Sequence, residues 1–109
     1  MSRLSAGLWV QAYMMRLQME GIAVYVVARG DATAGAVLIK LATMDGRAVA
    51  RQRSWDPMTG ERVWMVMAEG PEADVDAAIA RQRSRDSDLW VIEVEDRQGR
   101  DLLDQPGLE

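Results

Sequence analysis

Residues 29–41 read RGDATAGAVLIKL, and dividing this stretch correctly decides the fold. Its first half, residues 29–35, is a small-residue loop punctuated by Gly30 and Gly35. Its second half, residues 36–41, is the most apolar strand candidate in the chain, rich in the aliphatic and β-branched side chains that suit a pleated surface. The strand half is expected to form the spine of the core.

Downstream, Met44–Asp45–Gly46–Arg47 contains Asp-Gly, a strong short-range hairpin signal. With Asp45 and Gly46 as a two-residue loop, Ala42 faces Val49, Lys40 faces Arg51 and Leu38 faces Arg53. That register puts Leu38 and Lys40 on a wet, partly basic face and leaves Val37, Ile39 and Leu41 for the core. A third strand over 48–54 and a turn at Asp56–Pro57–Met58–Thr59–Gly60 lead to a fourth strand over 62–68. The favoured register sets Arg62, Trp64 and Val66 beside Arg51 and Arg53, with Val63, Met65 and Met67 inward. A one-residue slip would exchange the two sets.

Gly70–Pro71 then opens a second helix. Acids Glu72, Asp74 and Asp76 crowd its start and Arg81, Arg83 and Arg85 its end, a distribution that complements the helix dipole. Its apolar edge, Val75, Ala78 and Ile79, is narrow. A fifth strand follows over 89–94, and Leu102, Leu103 and Leu108 of the tail are placed to fold back onto the core.

Upstream, residues 22–28 (IAVYVVA) form a first strand, apolar on both faces as a central strand would be. Residues 4–20 form a first helix, with Ser5 as N-cap and Gly21 as its stop. This helix carries two apolar stripes on nearly opposite sides. One is Leu8, Ala12, Met15 and Met19; the other is Val10, Met14 and Leu17, with Tyr13 between them. An ordinary surface helix has one stripe. Two stripes fit a helix buried between layers or one that also meets a partner.

The elements add up to an α+β two-layer sandwich in the order α-β-β-β-β-α-β. A largely antiparallel five-stranded sheet carries both helices on one face, within a single domain spanning 1–109.

Composition narrows the chemistry. The 109 residues contain no cysteine and no histidine, and their net charge is −4. Thiol nucleophiles, cysteine zinc sites, histidine triads and histidine metal ligation are excluded. Nothing in the residues calls for a cofactor or a metal. The acidic total disfavours nucleic acid. No signal-peptide pattern follows Met1 and no apolar run is long enough to span a bilayer, so a cytoplasmic location is expected.

The runs RLSAGLWVQAYMMRLQMEGI, RGDATAGAVLIKL, DPMTGERVW and DLWVIEVEDRQGRDLLDQPGLE together resemble a family of small alphaproteobacterial proteins classed only as a domain of unknown function. The resemblance implies a bacterial, cytoplasmic, single-domain protein. It carries over no activity and no catalytic residue.

Three functions are left. The first is a non-catalytic protein-interaction or regulatory module, homodimeric or bound to a protein partner through Val10, Tyr13, Met14 and Leu17 of the first helix. The second is a small-ligand or anion-binding domain. It would use Arg29, Asp31 and Thr33 of the loop with Lys40, Arg51 and Arg53 of the basic face. The third is an enzyme built on Asp and Arg, for which no spacing singles out a pair.

Overall fold

The computed structural model describes residues 4–108; Met1–Arg3 and Glu109, which the single-domain and leader expectations include, lie outside the described residues. The elements are α1 (Ala6–Met19), β1 (Ala23–Ala28), β2 (Val37–Ala42), β3 (Arg47–Trp55), β4 (Arg62–Pro71), α2 (Glu72–Arg85) and β5 (Trp90–Glu95). Element order and α+β class are as expected. The sheet order is β1-β5-β2-β3-β4, antiparallel except for the parallel β2–β5 pair.

Local chemistry explains the helix ends. Ser5 Oγ accepts from the Leu8 N–H at 3.4 Å. The left-handed Gly21, at φ +72°, lets Gly21 N–H reach the Gln18 carbonyl and Ile22 N–H reach that of Leu17. This double closure satisfies two carbonyls that the helix end would otherwise orphan. At the other helix, β4 runs directly into α2 at Pro71. Acids Glu72 and Asp74 occupy the first turn of α2, and Arg83 and Arg85 the last.

Three features differ from the expectations. First, β1 is an edge strand and the centre belongs to β5 and β2. An apolar strand reads the same in either place, because pairing order is a long-range property.

Second, the β2–β3 register is one residue away from that of a two-residue turn: Lys40 pairs with Ala50 and Ile39 with Arg51. The link is wider because Met44 (φ 64°) and Gly46 (φ 86°) are both left-handed. The Asp45 carboxylate also holds the turn, accepting from Thr43 Oγ1 at 2.6 Å and Arg47 N–H at 3.2 Å.

Third, the helices lie on opposite faces of the sheet, making three layers. Val37, Ile39 and Leu41 pack with Trp9, Val10, Tyr13 and Leu17 of α1. Leu38, Ala48 and Ala50 pack with Val75 and Ile79 of α2. Alternate side chains of one strand point to opposite faces, so β2 is buried on both sides. The face expected to be wet is the floor under α2.

The β3–β4 pairing is the favoured one, with Arg53 opposite Trp64 and Arg51 opposite Val66. A bulge at Met67 separates those pairs from Ala50–Ala68. Inward packing is nevertheless split. Trp64 joins the α1-side core, Met67 the α2-side core, and Met65 is exposed. The tail returns as expected, burying Leu102, Leu103 and Leu108 against the α1-side core.

Candidate functional site

The two stripes of α1 have separate fates. Val10, Tyr13 and Leu17 are 3, 0 and 0% exposed, and Met14 packs half-buried beside them. Val10, Tyr13 and Leu17 are therefore consumed by the chain's own core, and of the four expected interface residues only Met14 keeps part of its surface. Tyr13 stacks on Trp9 with ring centroids 4.9 Å apart, and its hydroxyl donates to the Asp101 carbonyl at 2.8 Å. The opposite stripe points outward. Leu8, Met15 and Met19 are 55, 63 and 78% exposed, and Ala12 is exposed between them. These four recur at spacings of 4, 3 and 4 residues, the a/d alternation of a helix–helix seam. No acid lies in the first turn of α1. Arg16, the one basic residue at its end, is turned toward the tail, donating to the Pro106 carbonyl and Gln105 Oε1 at 3.0 Å each.

The proposed ligand residues do not converge. Lys40 lies on the α2 face, away from the arginines, and is 4% exposed. Its ammonium meets Glu72 and Asp76 of α2 at 2.7 Å each and Glu93 of β5 at 3.3 Å. Burial opposes its charge, but hydrogen bonds to Asp76 and Glu72 and the charge of Glu93 hold it above the ordinary lysine range. The chain's single lysine is thus a fully engaged tie between helix and sheet, unsuited to act as a nucleophile. Arg51 is on the α1 face, paired with the Asp101 carboxylate. It lines a cleft of about 760 Å³ between β3–β4 and the tail. Arg53 lies over both Trp9 and Trp64, 4.8 and 5.0 Å from the ring centroids, which are themselves 5.4 Å apart. It shares with Thr33 a second cleft, of about 420 Å³.

The 29–35 loop is spent on structure. Asp31 Oδ2 accepts from the Thr33 and Ala34 N–H groups. The Asp31 N–H is given to the Asp88 carbonyl and the Gly35 N–H to the Asp31 carbonyl. The Asp31 carbonyl also receives Trp90 Nε1 at 2.8 Å. The carbonyls of Ala32 and Thr33 accept the Gly7 and Ala6 N–H groups, finishing the α1 N-terminus. Arg29 lies over the Trp90 ring at 5.3 Å. Gly30 and Gly35 are required because a Cβ at either would collide with the Asp88 carbonyl. With four N–H groups turned inward, the loop is a cap rather than an anion cradle.

Burial and ion pairing predict a pH response. Burial, and then the Asp101 charge, push the Tyr13 hydroxyl above the ordinary tyrosine range. Tyr13 and Lys40 both keep in the folded state a proton that the unfolded chain releases near pH ~10. Their contribution is complete below that pH and falls as pH rises above it, where the unfolded state binds fewer protons. Urea midpoints are therefore expected to hold from about pH 7 to 9 and to decline from about pH 10, with a shallower decline in Tyr13→Phe. Equal alkaline slopes in the two proteins would contradict this.

Comparison with known proteins bears on the same arrangement. Residues 4–104 match the family described as Protein of unknown function (DUF1491). The chain belongs to the DUF1491 family. A crystal structure of a DUF1491 protein from Caulobacter crescentus CB15 is 39% identical. The match covers 95% of this chain and 98% of that one, with a TM-score of 0.85. An NMR structure of a DUF1491 protein from the same organism is 38% identical over 97% of each chain, with a TM-score of 0.82. The solution structure of Atu0922 from A. tumefaciens is 27% identical over 86% of each chain, with a TM-score of 0.72. No curated protein matches the sequence. DUF1491 membership bears out the family resemblance and assigns no activity. Among the described residues, no helix is long and apolar enough to cross a membrane.

Proposed function

We propose that this DUF1491 protein is a non-catalytic interaction module that pairs with a second copy of itself through the outward seam of α1. The observation that carries this reading is the exposure of Leu8, Met15 and Met19 along one line of a 14-residue helix. A continuous apolar stripe facing water marks a contact surface, and methionine adapts readily to an opposing surface. The 4-3-4 spacing reads the same in both directions. Antiparallel packing about a two-fold axis therefore sets Leu8 against Met19 and small Ala12 against bulky Met15, the self-matching that an isologous interface requires. Glu20, exposed at the end of the helix, then lies beside the acid-free first turn of the second copy, where a negative charge is favourable.

Light scattering after size exclusion tests this. The wild type is expected to show twice the chain mass at about 100 μM, a range suited to a modest interface. Met15→Glu is expected to show the single-chain mass, with a melting temperature within a few degrees of wild type, as for a surface change. A wild type that is monomeric at that concentration, or a Met15→Glu variant of unchanged mass, would overturn the reading.

A further inference from the structure

The two edges of the sheet are treated differently. β4 carries Arg62 and Glu69, ends in Gly70–Pro71 and is bulged at Met67, the devices by which edge strands avoid unwanted pairing. β1 has none of the charges or prolines. It reads AVYVVA, and Tyr25, Val26 and Val27 are 51, 37 and 59% exposed. Its one irregularity is at Val27; from Ala23 to Val26 it pairs regularly with β5. Its outer edge therefore offers a run of backbone N–H and C=O groups to an added strand.

The flanking surface indicates what kind of strand. Tyr25 and Ala23 lie opposite Glu93 and Glu95 of β5. On β5, Glu93 pairs with Lys40, which places both acids on the α2 side. Lys40 brings one positive charge against the three carboxylates it contacts, Glu72, Asp76 and Glu93, so the cluster keeps a net −2. Between β1 and α2 runs a groove of about 370 Å³. Its apolar walls include Val27, Ile79 and Val91, its acidic rim is Asp76 and Glu93, and Arg83 lines it as well. The Arg83 guanidinium donates to the Arg29 carbonyl at 2.7 Å.

We propose that the β1 edge receives an extended basic segment of another protein as a sixth strand. Its apolar side chains pack on Tyr25, Val27 and the groove, and its Lys or Arg side chains lie over the acids of β5 and α2. A second copy of β1 would bring no basic side chain to these acids, since AVYVVA carries none, so charge complementarity selects a segment of another protein. The site is independent of the helix seam and on a different element.

The probe is a fluorescein-labelled decapeptide alternating Lys with Val, compared with one alternating Glu with Val. It is titrated with wild type, Met15→Glu and Glu95→Lys. The Lys peptide is expected to bind wild type and Met15→Glu alike, to bind Glu95→Lys about fivefold more weakly, and to lose affinity with salt. The Glu peptide is expected to bind at least about tenfold more weakly. Amide exchange should slow across Ala23–Val26 when the Lys peptide is bound. No binding at about 1 mM peptide, equal binding of the two peptides, or protection outside β1 would overturn the proposal. So would protection of β1 that rises with protein concentration in the absence of peptide, since a second copy would then hold the edge. Binding of the Lys peptide to monomeric Met15→Glu separates this site from the helix seam.

Discussion

Leu17→Glu is expected to abolish cooperative folding. Leu17 is 0% exposed and sits in the α1-side core with Tyr13, Ile22 and the leucines of the tail. Its side chain contributes about 1.5–3 kcal/mol by burial. A carboxylate in its place costs several kcal/mol more unless a cation meets it, and the nearby Arg16 is committed to the tail. The total is comparable with the whole stability of a domain this size, about 5–15 kcal/mol. Circular dichroism melts should show no sigmoidal transition, and amide NMR spectra should lose their dispersion. The contrast with Met15→Glu, two positions away on the outward face, is the useful part: one glutamate should separate protomers and the other should unfold them. A Leu17→Glu variant that melts cooperatively within a few degrees of wild type would mean that α1 is packed the other way round.

Lys40→Ala is expected to cost about 3 kcal/mol, near the lower end for removing one member of a buried ion pair. The lower end applies because Glu72 and Asp76 keep 40 and 54% side-chain exposure and can be rehydrated. Glu93, at 21%, cannot do so as easily. At roughly 4 °C per kcal/mol for a domain of this length, the melting temperature should fall by about 12 °C. The cause should be the stranded carboxylates more than the lost side chain. Lys40→Met combined with Glu93→Leu is therefore expected to recover at least half of the loss, since replacing both members of a buried pair by apolar groups is close to neutral. A Lys40→Ala change worth less than about 0.5 kcal/mol, or a double variant no better than the single, would show that the lysine does not tie α2 to the sheet.

The features legible in the sequence are those that neighbouring residues decide. Ser5 and Gly21 bound α1 because capping is local chemistry. Pro71 and the charges of α2 mark the second helix for the same reason. The leucines that follow β5 return to the core because three apolar side chains in so short a stretch are costly to leave in water. What was not legible depends on distant parts. The outer and inner stripes of α1 are equally apolar, and only the sheet decides which is buried. Lys40 could not be read as a tie, since its three partners lie 32 to 53 residues away along the chain. The grouping of Lys40 with Arg51 failed on a single residue of register. That slip came from a left-handed Met44, a conformation seldom adopted by a non-glycine residue.

The position of β5 has a consequence for how the chain is made. The strand that lies between β1 and β2 is also the last of the five in chain order, spanning residues 90–95. Until it leaves the ribosome, β1 has no neighbour and one side of β2 stays open. The α1-side core also lacks Trp90, Ile92, Val94 and the tail leucines. The β2–β3–β4 meander can assemble early from near-neighbour contacts, but the sheet closes only by inserting the strand that follows α2, a slow step for sheet topologies. Folding of the sheet is thereby postponed until β5 has been synthesised. Up to that moment the nascent chain leaves open the flanks of β1 and β2 that β5 will cover, and unpaired strand edges of this kind are prone to meet other chains.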